Sequence, residues 1–135
     1  MADSFDEFKR GLQDFRSLAE REATRRLRRV SLKALELIVV GTPVLTGCCR
    51  GNWLVSMGTP SRIYDARKKD ANGGATISVG ASVIESATLG VDVIIENSCP
   101  YAIRLENGWS RQKPPGSMIR EPLMKLKQAI EKGAM

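Results

Sequence analysis

Apolar residues recur at Phe5, Phe8, Leu12, Phe15 and Ala19, and again at Ala23, Leu27, Val30, Ala34 and Ile38. Intervals of three and four residues put such positions on one side of an α-helix, so the chain opens on an amphipathic helix. After Gly11, neither Gly nor Pro interrupts the pattern before Gly41. The spacing predicts a helix over residues 6–39, roughly 50 Å long at 1.5 Å per residue. Ser4 and Glu7 match a capping box at its start, and Asp6 and Glu7 suit the positive end of the helix dipole. So long a helix exceeds what one small body can cover. Either it bends near its arginine-rich section, or part of it projects and packs on a neighbour. Gly41 and Pro43 end it.

Beyond the helix the period changes. Residues 42–47 read as a turn, and residues 52–57 as a strand with Trp53 and Val55 on one face and Leu54 and Ser56 on the other. Arg62, Ile63 and Tyr64 extend that first hairpin. A charged loop over residues 65–74 closes on Asn72-Gly73-Gly74. Residues 75–79 predict a second strand. Ser82 and Glu85 form another capping-box pattern, which predicts a short helix over residues 83–88 stopped by Gly90. The β-branched run over residues 91–96 predicts a third strand. Pro100 opens a short helix to Glu106, and Asn107-Gly108 stops it. Ile119, Leu123, Leu126 and Ile130 mark a last helix over residues 119–132, with Pro122 tolerated in its first turn. The reading is a single α+β domain over residues 1–135. A long helix occupies residues 1–40. Residues 41–135 form a body with a small, mostly antiparallel sheet of three to four strands, short helices, and a C-terminal helix packed on it.

Composition narrows the function more than the fold. A length of 135 residues suits one domain with a modest core. The formal charge of +6 is concentrated in residues 20–33 and 104–127. At 100° per residue, Arg10, Arg21, Arg25 and Arg28 share a helix face opposite the apolar stripe. That face is either solvated or a contact surface for DNA or an acidic partner. The acidic N-terminal residues argue against a secretion signal, and the apolar runs are too short to span a bilayer. Membrane association is therefore not expected.

Chemistry is hard to find. The chain has no histidine and three cysteines, Cys48, Cys49 and Cys99, with no C-x-x-C spacing. Histidine-based triads are excluded, and a disulfide scaffold or zinc site is not expected. Cys48 and Cys49 lie beside Arg50, but a reactive thiolate needs a specific electropositive pocket, and small turn residues are the plainer reading. Glu85, Asp92, Glu96 and Glu106 are scattered, and Asn72-Gly73-Gly74 lacks the downstream Lys-Ser/Thr of a phosphate loop. No catalytic, cofactor-binding or metal-binding residue is assigned.

Two blocks carry a resemblance. Thr42-Pro43-Val44-Leu45-Thr46-Gly47-Cys48-Cys49-Arg50-Gly51-Asn52-Trp53 is similar to the Thr-Pro-Val-Asp-Thr-Gly-Arg-Leu-Arg-Gly-Asn-Trp pattern of the tail-completion (neck) proteins of tailed bacteriophages. That group includes minor tail protein Z of lambda-like phages. Leu45, Cys48 and Cys49 depart from the pattern, and Leu45 stands where an Asp would cap the turn. The second block resembles the family through Asn97, Pro100, Tyr101, Ala102, Leu105, Glu106, Gly108, Trp109, Ser110, Gln112, Pro114, Gly116 and Arg120, with Ser117 as an extra residue. With the element order, the resemblance covers nearly the whole chain.

The resemblance implies a non-enzymatic virion protein, made in the host bacterial cytoplasm. Such proteins form a ring, taken as a homo-hexamer, that completes the tail and joins it to the head. Its implied partners are the tail tube protein and head-side connector proteins, with non-specific contact to genomic DNA in the lumen. The loop over residues 60–74 and the helix ends would meet the adjoining ring. On this reading Trp53 and Trp109 are packing anchors. Tyr101, Arg104 and Glu106 fix the short helix within or across a subunit boundary. Arg50 and Arg120 are candidates for buried or intersubunit ion pairs, and Arg111 joins them as an interface residue. The competing reading is a small DNA-binding protein using Arg21, Arg25 and Arg28.

Overall fold

In the computed structural model, which describes residues 2–135, the chain folds as α1 (Ala2–Gly41), α2 (Cys48–Gly51), β1 (Trp53–Met57), α3 (Gly74–Ile84), β2 (Val93–Asn97), α4 (Ala102–Glu106) and α5 (Arg120–Glu131). The class is α+β, as the sequence predicts. Helix α1 runs unbroken for 40 residues, about 60 Å. It starts before the Ser4 capping box, so that box lies within the helix. It ends where Gly41 passes the loop before α5 so closely that a Cβ there would sit 2.5 Å from the Ser117 carbonyl oxygen. Thr42 then takes over, its hydroxyl donating to the Ile38 carbonyl at 2.8 Å.

The two halves of α1 differ. Residues 3–23 are all exposed. The body-facing stripe is Ser31, Ala34, Leu35, Ile38 and Val39, all buried. At 100° per residue that stripe lies roughly 130° around the helix from Phe5, Phe8, Leu12 and Phe15. The single continuous stripe read from the spacing is therefore two stripes, facing different ways.

The sheet has two antiparallel strands among the described residues, not three or four, with Trp53 opposite Asn97, Val55 opposite Ile95 and Met57 opposite Val93. The predicted strand over residues 75–79 is instead helical, as part of α3. Its buried positions Thr76, Gly80 and Ile84 fall four apart, a helical interval that its β-branched content conceals. Gly80 lets α3 cross α1 and the sheet, since a Cβ there would stand 2.4 Å from a Leu35 methyl group. Ser82 sits inside α3, donating to the Ser78 carbonyl, so the expected short helix over residues 83–88 merges with α3 and its turn. Residues 62–64 extend no hairpin and carry no regular structure.

α1 packs on α3 and α5, and α3 packs on β1. Leu35, Ile38 and Val39 of α1 meet Trp53, Ile84, Cys49, Cys99 and Met118 in one core.

Candidate functional site

Residues 42–53 fold back on the C-terminal end of α1, and Arg50 holds them there. Its Nη2 donates to the carbonyls of Thr42 (2.6 Å) and Val40 (3.0 Å), and its Nη1 to that of Ala71 (2.7 Å). No basic residue occupies the last turn of α1. Arg50 therefore supplies the cation that the helix's negative end favours. Burial pushes the Arg50 pKa down, against the opposing pull of Asp70. Among the described residues of its own chain Arg50 forms no buried ion pair, and this bracket of carbonyls takes that place.

Trp53 is buried in its own subunit, its indole N–H donating to the Thr42 hydroxyl at 2.7 Å. It is a fold anchor, closed to a neighbouring chain. Beside it, Asn52 ties α2 to the following loop. Its amide donates to the carbonyls of Cys48 (2.7 Å) and Asp65 (3.0 Å), and its oxygen accepts the Asp65 N–H (2.9 Å). Asp70 starts α3, accepting the Thr76 N–H at 2.8 Å, the Thr76 hydroxyl at 2.7 Å and the Gly73 N–H at 3.2 Å. Burial pushes the Asp70 carboxyl up, but the Thr76 and Gly73 hydrogen bonds and the Arg50 charge hold it below its ordinary value. Residues 65–74 are thus committed to the body of their own chain.

The second sequence block lies against the first. Gln112 clamps Val44 twice, accepting its N–H at 2.9 Å and donating to its carbonyl at 2.6 Å. Asn97 donates to the Cys49 carbonyl at 2.7 Å and accepts the Cys99 N–H at 2.9 Å. Between the blocks opens an apolar recess of about 610 Å³, lined by residues 43–49 on one side and by Tyr101, Leu105 and residues 109–112 on the other. Trp109 stands at its mouth, 71% exposed, with the Arg104 guanidinium 4.9 Å over its ring. Arg111 shares that mouth. Trp109 is therefore no anchor within its own subunit.

All three cysteines are free and buried. Cys49 is pushed up to about 12 by burial and by its contact with Cys99, which makes it a protonated, poorly nucleophilic thiol. Tyr101 is raised by burial and by hydrogen bonding to Cys99. Glu106 is half-buried, and its Oε1 has no hydrogen-bond partner. Arg120 is exposed, passes over Gly116, and among the described residues forms no ion pair.

The basic face is smaller than its spacing implies. Arg10, Arg21 and Arg25 are exposed, and Arg25 pairs with Glu22 at 2.9 Å. Arg28 leaves the face. It donates twice to the Ala87 carbonyl, at 3.1 and 3.0 Å, tying α1 to the turn after α3.

Asn52, Asn97 and Gln112 stand within the two blocks, but nothing in the sequence marks them as the side chains that bind the blocks together. Asp70 also escaped, its signal being an Asp ahead of Asn-Gly-Gly. Among the described residues no helix is long and apolar enough to cross a membrane, and no three Cys, Asp or Glu side chains are grouped to hold a metal ion. No family model, curated protein or solved structure matches the chain.

Proposed function

We propose that this chain is a tail-completion (neck) protein of a tailed bacteriophage, a structural protein that forms a ring at the head-proximal end of the tail and joins it to the head-side connector. One observation carries the reading. The two blocks that resemble the family, far apart in sequence, are bound into one continuous surface by the Gln112–Val44 and Asn97–Cys49 hydrogen bonds. That surface presents Leu45, Tyr101 and Trp109 to the outside. Exposed aromatic and arginine side chains around an apolar recess are the composition of a protein interface. The projecting half of α1 supplies a second surface, as ring closure through unlike patches requires.

Inactivating the gene in its phage tests this. The expected lysate contains filled heads and separate tails, and purified protein added to it restores joined particles. Joined, infectious particles formed without the protein would overturn the proposal. The DNA-binding reading has weaker support, because Arg28 and Arg25 are already engaged within α1 and its contacts.

A further inference from the structure

We infer that the exposed half of α1 from one copy seats its apolar stripe on a second copy, in the groove beside Ile103 and Ile119, where Lys9 faces the half-buried carboxylate of Glu106. This rests on the ring reading above and names the contact that would close the ring.

Phe5, Phe8, Leu12 and Phe15 are all more than half exposed on a helix that nothing in its own chain covers. Their 3-4-3 spacing forms a continuous seam that a soluble protein buries against something. The occupant is not its own body. α1 is unbroken to Gly41, and its body-facing stripe points a different way, so the seam cannot fold back.

Besides the larger recess between the two blocks, several on the body offer apolar lining among the described residues, and charge separates them: Lys68 and Lys69 line the one beside Leu54 and Val79, and Lys113 and Lys125 the one beside Leu37 and Val40. One side of the seam is flanked by Lys9 and Arg16. The larger recess carries Arg104 and Arg111 around its mouth, and these would repel that flank. The groove between β2, α4 and the start of α5 is lined by Ile103, Ile119, Glu96 and Glu106. Ile103 is 77% exposed there, and the buried Glu106 Oε1 lacks a partner. A half-buried carboxylate short of donors favours a cation close beside it, and an incoming ammonium supplies one. Arg16 already pairs with Glu20. Lys9 forms no ion pair among the described residues and rests over the Phe5 ring, 4.9 Å from its centroid. It is the available cation. Seam and groove are different patches of one molecule, so the contact is head-to-tail and repeats until it closes.

The test uses the full chain in light scattering over a concentration series, with circular dichroism to verify folding. Both target side chains are exposed, so Phe8→Asp and Ile103→Asp leave the core intact. The wild type is expected to assemble, and each variant to weaken assembly roughly tenfold or more. The two variants mixed should give a one-to-one heterodimer that grows no further, since each keeps one live patch. Glu106→Lys should weaken assembly, and Lys9→Glu added to it should restore it. Several outcomes overturn the inference: a monomeric wild type at all concentrations, an Ile103→Asp protein that still dimerises through paired seams, or a mixture that stays monomeric. A wild type that assembles while both variants assemble equally well overturns this contact and leaves the ring reading standing.

Discussion

At the scale of single residues, stability of the two blocks depends on polar groups that the core cannot replace. Asn52 is 2% exposed and completes three hydrogen bonds to backbone. Replacing it with Ala takes the partner from the Asp65 N–H and the Cys48 carbonyl, and one donor from the Asp65 carbonyl, which keeps the Lys68 N–H. Asn52→Ala is expected to lower unfolding stability by about 2–4 kcal/mol in urea titrations. A loss within about 0.5 kcal/mol, the range of ordinary surface changes, would show that the residues 65–70 loop does not depend on it. The thiols give a second expectation. With Cys49 pushed up to about 12, its thiolate fraction at pH 8 is negligible in the folded chain, and all three cysteines are buried away from reagent. Modification by a thiol reagent should follow the unfolding equilibrium, with all three cysteines reacting together in denaturant. Rapid reaction of one cysteine in native buffer would show that the fold does not shield it from reagent. Asn52 was legible as part of a motif but not as a hydrogen-bond hub, because its partners lie on a loop whose path the sequence does not specify.

At the scale of elements, α1, β1, β2, α4 and α5 were legible because their signals are strong and local: a long three-four spacing, a strand bounded by breakers, and Pro and Asn-Gly at helix ends. α3 was not. Its Thr76, Ile77 and Val79 favour strands, and only its contacts with Leu35 and Val55, across Gly80, make the helix the better arrangement. Asp70 holds its first turn from outside the element. α2 is a four-residue turn of helix, too short for any periodicity. Two glycines now separate propensity from packing. Gly11 has nothing within 4 Å of its would-be Cβ, whereas Gly80 meets Leu35 and Val55 at 2.4 and 2.9 Å. Gly11→Ala should raise helicity and hydrogen-exchange protection around residues 5–18, since Ala is favoured by about 1 kcal/mol there. Gly80→Ala gains the same propensity but forces side chains apart, with a net cost of about 1–3 kcal/mol. Equal effects of the two changes would mean that α3 does not cross α1 at the described distance.

At the scale of the whole molecule, the question is what a formal charge of +6 does. Charge count alone favours DNA, and its disposition argues otherwise. Three of the nine cations of α1 are engaged: Arg16 pairs with Glu20, Arg25 with Glu22, and Arg28 donates to a carbonyl of the turn after α3. Those of the second block stand around an apolar recess, where Arg104 lies over Trp109. What remains exposed on α1 is Lys9, Arg10, Arg21, Arg26, Arg29 and Lys33, spread along the helix without base-reading side chains between the charges. Such a spread supports only non-specific phosphate contact, with dissociation constants of about 10⁻⁴–10⁻⁶ M at physiological salt. Duplex binding by the purified protein should therefore be weak, indifferent to sequence and lost steeply as salt rises. Changing Arg10, Arg21 and Arg25 together to Ala should reduce it further without altering assembly. Nanomolar, sequence-dependent binding abolished by that triple change would reverse the order of the two readings, making the arginine face the functional surface. Weak binding together with unchanged assembly would fit the proposed neck reading, in which the positive charge belongs to a ring whose lumen tolerates phosphate without holding it.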